Sequence, residues 1–444
     1  MRAKYREAER FSNAGLRELT MSQKKDKTEA AASRRGFLRK ATAATGYGAL
    51  MAMVPPGVRQ AAWAAGSDAP EKKEVKVGFI PLTDCASVVM ASVLEFDKKY
   101  GIKITPTKEA SWASVRDKLV NGDIDASHVL YGLIYGLHLG LSGPKKDMAI
   151  LMTLNHNGQA ITLSKKLADQ GVKDGPTLAA VMKKDKREYT FAQTFPTGTH
   201  AMWIYYWLAA NGIHPFKDAR SIVVPPPQMV ANMRVGAMDG FCVGEPWGHR
   251  AIADGIGFTA TTTQDIWKDH PEKVLGCTAE FVKNNPNTVR AMTAAVIDAG
   301  RWIDASLSNR QKMAETVANT AYVNTSVDVI NQRILGRYSN GLGRTWDDPN
   351  HMKFYNDGHA SFPYLSDGMW FLTQHRRWGL LKADPDYLAV AKQINRIDIY
   401  REASTLAKAS VPKDVMRTSK LIDGVVWDGK DPKKYALSFP VKVA

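Results

Sequence analysis

His200 follows Thr197-Gly198-Thr199 and opens an apolar run, His200 to Asn211, that reads as a helix. The first N–H groups of a helix lack intrahelical acceptors and favour negative charge. A histidine placed there donates a hydrogen bond when neutral and adds charge when protonated. A histidine satisfied inside the core is the competing reading. Trp112 stands at the start of another helix, Ser111 to Asn121, and its indole N–H reads equally as core packing or as a donor into a cleft. Gln159, in Asn157-Gly158-Gln159, offers an amide that reads as well as a solvent-facing side chain. Lys273, in His270-Pro271-Glu272-Lys273, reads on its own as a solvated surface lysine, and His156 has no evident role. Gly244-Glu245-Pro246-Trp247 leaves the carboxyl end of a strand, and a helix beginning at Pro246 would present further backbone donors. These residue types bind; they do not make a nucleophile. The sequence contains no GxSxG, HExxH or P-loop pattern. Its three cysteines, Cys85, Cys242 and Cys277, have no CxxC or metal-type spacing, although Cys242 and Cys277 could pair in an oxidising compartment. The expectation is a site of hydrogen-bond donors, without catalytic residues, cofactor or metal.

Such donors need elements to hold them. Val75 to Ile80 reads as a strand ended by Pro81, and Ala86 to Lys99 as a helix with apolar residues three and four apart. A strand at Ile102 to Pro106, the helix Ser111 to Asn121 and a strand edge at Ile124-Asp125-Ala126 follow. The order restarts with a strand at Glu188 to Ala192, the helix from His200, a strand at Ser221 to Val224, a helical stretch at Met229 to Val235 and a strand at Asp239 to Val243. Alternating strands and helices indicate an α/β protein with parallel sheets. Two such series indicate two lobes. The expected division is a linker at 65–74, the first part of lobe 1 at 75–164, lobe 2 at 165–265, and a return to lobe 1 with a helical extension at 266–444. Within that return, Val289 to Ala305 reads as a helix and Gly341 to Gly379 as irregular structure. Ligands of open α/β sheets sit outside the strand carboxyl ends, which puts them in a cleft between lobes that closes by a hinge.

The front of the chain reads as an address. Ser33-Arg34-Arg35-Gly36-Phe37-Leu38 precedes an apolar stretch from Ala41 to Val54 and then Ala62-Trp63-Ala64, an A-x-A cleavage pattern. This is a twin-arginine export signal, with Met21 a plausible true start and residues 1–64 set apart from the fold. The chain of 444 residues has a net charge of +16. Residues 1–64, with 13 Lys/Arg against 5 Asp/Glu, hold about half of it. The remaining lysines are scattered and match no nucleic-acid-binding motif, so nucleic acid is not an expected partner.

Several segments in order resemble one family: VGFIPLTDCA (77–86), KEASWASVRDKL (108–119), LNHNGQAITLS (154–164), FPTGTHAMWIYYWLAANGI (195–213), VGEPW (243–247) and HPEKVLG (270–276). They look like the nitrate/bicarbonate-binding subfamily of ABC-importer solute-binding proteins, from about Val75 to Thr405. The resemblance implies a two-lobed clamshell, the periplasmic-binding-protein fold, with an anion in the cleft. It implies ligand-binding roles for Trp112, Gln159, His200, Gly244, Glu245 and Lys273. Lys273 would supply the countercharge, and Glu245 would orient His200 or Lys273 or lend its backbone N–H. Nitrate carries acceptors and no proton, so a selective site should offer donors. The implied partners are nitrate or nitrite, an inner-membrane ABC permease and the twin-arginine export machinery. Bicarbonate held with calcium is the nearest rival, opposed by His200 and Lys273. A cytoplasmic nitrate sensor is opposed by Arg34-Arg35, and a thiamine-pyrimidine synthase by the few cysteines.

Overall fold

A computed structural model of the chain describes residues 68–185 and 187–443. The twin-arginine segment, its cleavage pattern and the first residues of the expected linker lie outside them. Ten strands form two five-stranded sheets. The first takes β1 (Glu74–Phe79), β2 (Lys103–Lys108), β3 (Ala126–Leu130), β4 (Met148–Thr153) and β10 (Lys273–Thr278), in the order β2-β1-β3-β10-β4. The second takes β5 (Gln159–Ser164), β6 (Thr190–Gln193), β7 (Arg220–Val223), β8 (Gly240–Gly244) and β9 (Gly257–Thr262), in the order β7-β6-β8-β5-β9. In β3, β4, β5 and β8 every residue is buried, as expected of strands covered by helices on both faces.

The sheets are mixed, not wholly parallel. β1 runs parallel to β2 and β3, and β6 runs parallel to β7 and β8. β10 is antiparallel to β3 and β4, and β5 is antiparallel to β8 and β9. Each antiparallel strand is the one that arrives from the other lobe, so the chain exchanges lobes twice. This moves the first expected boundary. β5 pairs only with second-sheet strands, so the crossing is Leu154–Gly158 and not Ser164. Asn157, at φ 61, and Gly158, at φ 92, make the bend there.

Local chemistry explains where elements start and stop. The Ser111 hydroxyl caps Trp112–Asn121 by accepting from the Ser114 N–H at 3.2 Å, and Gly122, at φ 79, ends the helix. The first helix stops at Val93, short of the expected Lys99. There the Asp97 carboxylate accepts from the N–H groups of Lys98 and Ile104 and folds the chain into a separate turn. Thr199–Ala210 is apolar all round and buried from Thr199 to Ala209, as a core helix must be. The stretch expected to be irregular contains a largely buried helix, Leu365–Arg377. Its Trp370 stacks on Trp203 at 4.9 Å and meets Trp267 at 5.1 Å. Tertiary aromatic packing holds this helix, which its polar spacing does not announce. The three cysteines are buried free thiols; Cys242 lies in β8 and Cys277 in β10, in different sheets. Among the described residues no helix is long and apolar enough to cross a membrane.

Candidate functional site

Lys273 is the first residue of β10 and is wholly buried. Its ammonium donates to Asp84 Oδ2 at 2.8 Å and Glu272 Oε1 at 2.5 Å. Asp84 stands in the loop leaving β1 and also holds His128, of β3, at 2.6 Å through Nε2. Glu272 accepts from the Thr199 hydroxyl at 2.7 Å and from the Trp203 indole at 3.0 Å. His200, in the first turn of the helix Thr199–Ala210, places Nε2 3.2 Å from Glu272 Oε1 and 3.4 Å from Lys273 Nζ. Its Nδ1 meets the Thr194 hydroxyl at 2.6 Å. Lobe 1 thus supplies Asp84, His128, Glu272 and Lys273, and lobe 2 supplies Thr194, Thr199, His200 and Trp203.

The charges follow from this geometry. Burial opposes the Lys273 ammonium, but the Asp84 and Glu272 carboxylates outweigh it and raise its pKa. Burial likewise opposes ionised Asp84 and Glu272, and Lys273 with its neighbouring histidine holds both below the usual carboxylate range. Burial, helped by Lys273, keeps His200 below its ordinary value, and burial does the same for His128 against the pull of Asp84.

Trp112 and Gln159 are 1% exposed, yet the indole Nε1 and both ends of the amide have no protein partner. The Trp112 ring lies 5.7 Å from Lys273 Nζ and 5.6 Å from the His128 ring. Gln159 pairs with Gly244 across β5 and β8. A Cβ on Gly244 would come within 3.1 Å of Asp84 Oδ2 and 3.3 Å of Leu82, so a larger residue here would make these side chains of the other lobe give way. The seam is sealed by Thr83 N–H to the Glu245 carbonyl at 2.7 Å, the Trp247 indole to the Pro81 carbonyl at 2.8 Å, and the Ser142 and Thr197 hydroxyls at 2.6 Å. Next to Trp112 a cavity of about 400 Å³ lies between Arg116, Phe195 and Pro225. Buried donors without partners are costly unless something else accepts from them. Beside an ammonium, they suit a small anion.

All six expected residues therefore stand at the seam: Trp112, Gln159, His200, Gly244 and Lys273, with Glu245 there through its backbone carbonyl. The Glu245 side chain does not take the orienting role expected of it. Its carboxylate accepts from the His249 N–H at 3.0 Å and lies 3.5 Å from Arg333 Nε. Its N–H donates to the Gly158 carbonyl at 3.0 Å. It thus neither orients His200 or Lys273 nor has a donor to spare. Burial raises its pKa, with Arg333 opposing. The helix after it starts at Trp247, not Pro246, and Glu245 occupies one of its first N–H groups. The orienting role falls to Asp84 and Glu272, and with His128 they are what the sequence reading missed. Their position was the available signal: Asp84 follows the carboxyl end of the first strand, where ligand loops gather. His156 is buried apart from this cluster and lines a second cavity, of about 670 Å³, with Asp269 and Arg417. Among the described residues no group of three or more His, Cys, Asp or Glu side chains is arranged to hold a metal ion.

Two α/β lobes joined by crossing segments, with a polar site buried between them, define a two-lobed solute-binding protein. The sequence pattern of the NMT1-like family matches residues 68–318, and the chain belongs to that family. The nitrate/nitrite binding protein NrtA of Synechocystis sp. is 40% identical over 394 residues, 85% of this chain and 87% of that protein. The crystal structure of the periplasmic nitrate-binding protein NrtA from Synechocystis PCC 6803 matches with a TM-score of 0.80 at 39% identity, covering 84% of this chain and 99% of that one. The bicarbonate-binding protein CmpA of Synechococcus elongatus is 30% identical over 406 residues, 86% of this chain and 90% of that protein. The nitrate import ATP-binding protein NrtC of Synechocystis sp. is 34% identical over 388 residues, 86% of this chain and 58% of that protein.

Proposed function

We propose that this is an exported, non-enzymatic binding protein that captures nitrate or nitrite between its lobes and delivers it to an ABC importer. The observation that carries the reading is the pair of buried, partnerless donors, Trp112 Nε1 and Gln159 Nε2, at a seam whose centre is the Lys273 ammonium. In this reading the indole and the amide donate to the oxygens, and Lys273 supplies the positive charge. His200 adds a donor at a helix N-terminus, and Gly244 admits the anion beside the backbone. Closure of the lobes traps the ligand, and the closed form docks on an inner-membrane permease. The identity to nitrate/nitrite binding proteins over most of the chain supports the ligand. The likeness to a nitrate import ATP-binding protein supports the ABC partner. Arg34-Arg35-Gly36-Phe37-Leu38 supports passage through the twin-arginine machinery to the periplasm, with cleavage near Ala64.

Calorimetric titration of the purified protein with nitrate, nitrite and bicarbonate, each with and without calcium, tests the ligand. Calcium-independent binding of nitrate or nitrite is expected. Bicarbonate binding that requires calcium, with no response to nitrate or nitrite, would overturn the assignment of Lys273 and His200.

A further inference from the structure

The seam holds an unbroken line of five ionisable groups: His128 Nε2 to Asp84 Oδ1 at 2.6 Å, Asp84 Oδ2 to Lys273 Nζ at 2.8 Å, Lys273 Nζ to Glu272 Oε1 at 2.5 Å, and Glu272 Oε1 to His200 Nε2 at 3.2 Å. All five side chains are 0% exposed. At these distances the ammonium and both carboxylates are ionised, and with neutral imidazoles the line carries one net negative charge. A monoanion lodged here would bring the buried total to minus two. Uncompensated buried charge is among the most expensive arrangements a protein can hold.

The neighbouring charges are already paired. Glu245 lies against Arg333, Asp367 against Arg417, and Arg116, in the cavity beside Trp112, against Asp117 at 2.7 Å, so each pair cancels internally. His270, near Glu272, is engaged by the Thr263 hydroxyl and the Pro271 carbonyl, and burial pushes its pKa down to about 4. Cys242 is kept a neutral thiol by burial. Around His200 the polar groups are Thr194, Glu272, Lys273 and, further off, Asp84; around His128 they are Asp84, Lys273 and, further off, Glu272, with the Trp112 ring against it. His128 Nδ1 is buried without a partner, so one position on the line is open to a further N–H.

We propose that the cleft takes up its anion together with one proton, held on the line His128–Asp84–Lys273–Glu272–His200. This rests on the anion-binding reading above and extends it. The protein carries the solute as a neutral anion–proton pair, and a dianion such as sulfate is rejected because it would need a second proton. The two imidazoles titrate as one coupled unit, since both are tied to the same ammonium through a carboxylate.

The test is calorimetric titration of the full chain with nitrate at several pH values, in buffers of different ionisation enthalpy. The slope of observed heat against buffer ionisation enthalpy counts protons. About one proton taken up per nitrate is expected above pH 7, with the affinity weakening by up to about tenfold per pH unit. Asp84→Asn removes one buried negative charge, so its nitrate binding should take up almost no proton and lose its pH dependence. A zero slope in the unmodified protein, with affinity level from pH 6 to pH 8, overturns the proposal whether or not the variant folds. A folded Asp84→Asn that still takes up a full proton overturns the role of the line. No heat from nitrate or nitrite at any pH would defeat the binding reading itself, and the proton inference with it.

Discussion

Replacing Lys273 with methionine keeps most of the side-chain volume and removes the ammonium held 2.8 Å from Asp84 and 2.5 Å from Glu272. Deleting one partner of a buried ion pair costs about 3–5 kcal/mol, because the remaining charge is stranded. Here two carboxylates are stranded, but His128, Thr199 and Trp203 still donate to them and one can take a proton, so the same range applies. Unfolding entropy is about 2.1 cal/mol/K per residue near the melting temperature, or ~0.8 kcal/mol/K for the 376 residues of the unit Ala69–Ala444. The expected fall in Tm is therefore about 4–6 °C at pH 7.5. The pH dependence has a definite sign. In the unmodified protein both carboxyls sit below their ordinary values, burial being outweighed by Lys273. Their contribution is complete above the unfolded pKa, near 4, and is lost only as pH falls through the folded values. Without Lys273, burial and mutual repulsion raise at least one carboxyl, so the variant gains stability as pH falls from 7.5 to 5.5. Calorimetric melts at the two pH values should show a gap that narrows on acidification. A Tm within about 1 °C of the unmodified protein at pH 7.5, or a gap that widens at pH 5.5, would refute the ionised cluster.

Trp112→Phe keeps the ring and deletes the partnerless indole N–H. Losing a hydrogen bond to a charged ligand costs about 1.5–3 kcal/mol, so nitrate affinity should fall roughly 10- to 150-fold while the unliganded Tm stays level or rises. Gly244→Ala puts a methyl 3.1 Å from Asp84 Oδ2 and 3.3 Å from Leu82, across the seam. Overpacking of about 1–3 kcal/mol, felt only in the closed form, should weaken nitrate binding by roughly 5-fold or more and reduce ligand-induced compaction in X-ray scattering. Glu245→Gln should leave nitrate affinity within about threefold, because that carboxylate addresses His249 and Arg333 and not the ligand. A large loss of affinity without a loss of Tm would restore Glu245 to the site.

Much of the frame could be read along the chain because it rests on local rules. The apolar run ended by Pro81 marked β1, and the stretch Ser111 to Asn121 was legible as the helix carrying Trp112. Thr199–Ala210 showed itself as a buried helix by being apolar on every side, and that put His200 in its first turn. Where local rules compete, reading failed. Ala86 to Lys99 has helical spacing throughout, but Asp97 draws its own backbone contacts and splits it. Leu365–Arg377 looks too polar for a core helix until Trp203 and Trp267 are seen against Trp370.

The sequence by itself determined the two α/β series and the donor types available, since backbone geometry and side-chain chemistry are properties of short stretches. Lys273 on its own read as a surface lysine, and only the family resemblance marked it as the countercharge. Only the tertiary structure decided which acids face Lys273. Asp84 lies 189 positions from it, and Glu272 is its immediate neighbour, while Glu245 turns to Arg333 instead. It also decided that β5 belongs to the second sheet and β10 to the first, which draws both crossing segments and the seam together. Pairing between strands and between charges depends on which surfaces meet when the chain closes on itself, and no local pattern encodes that meeting.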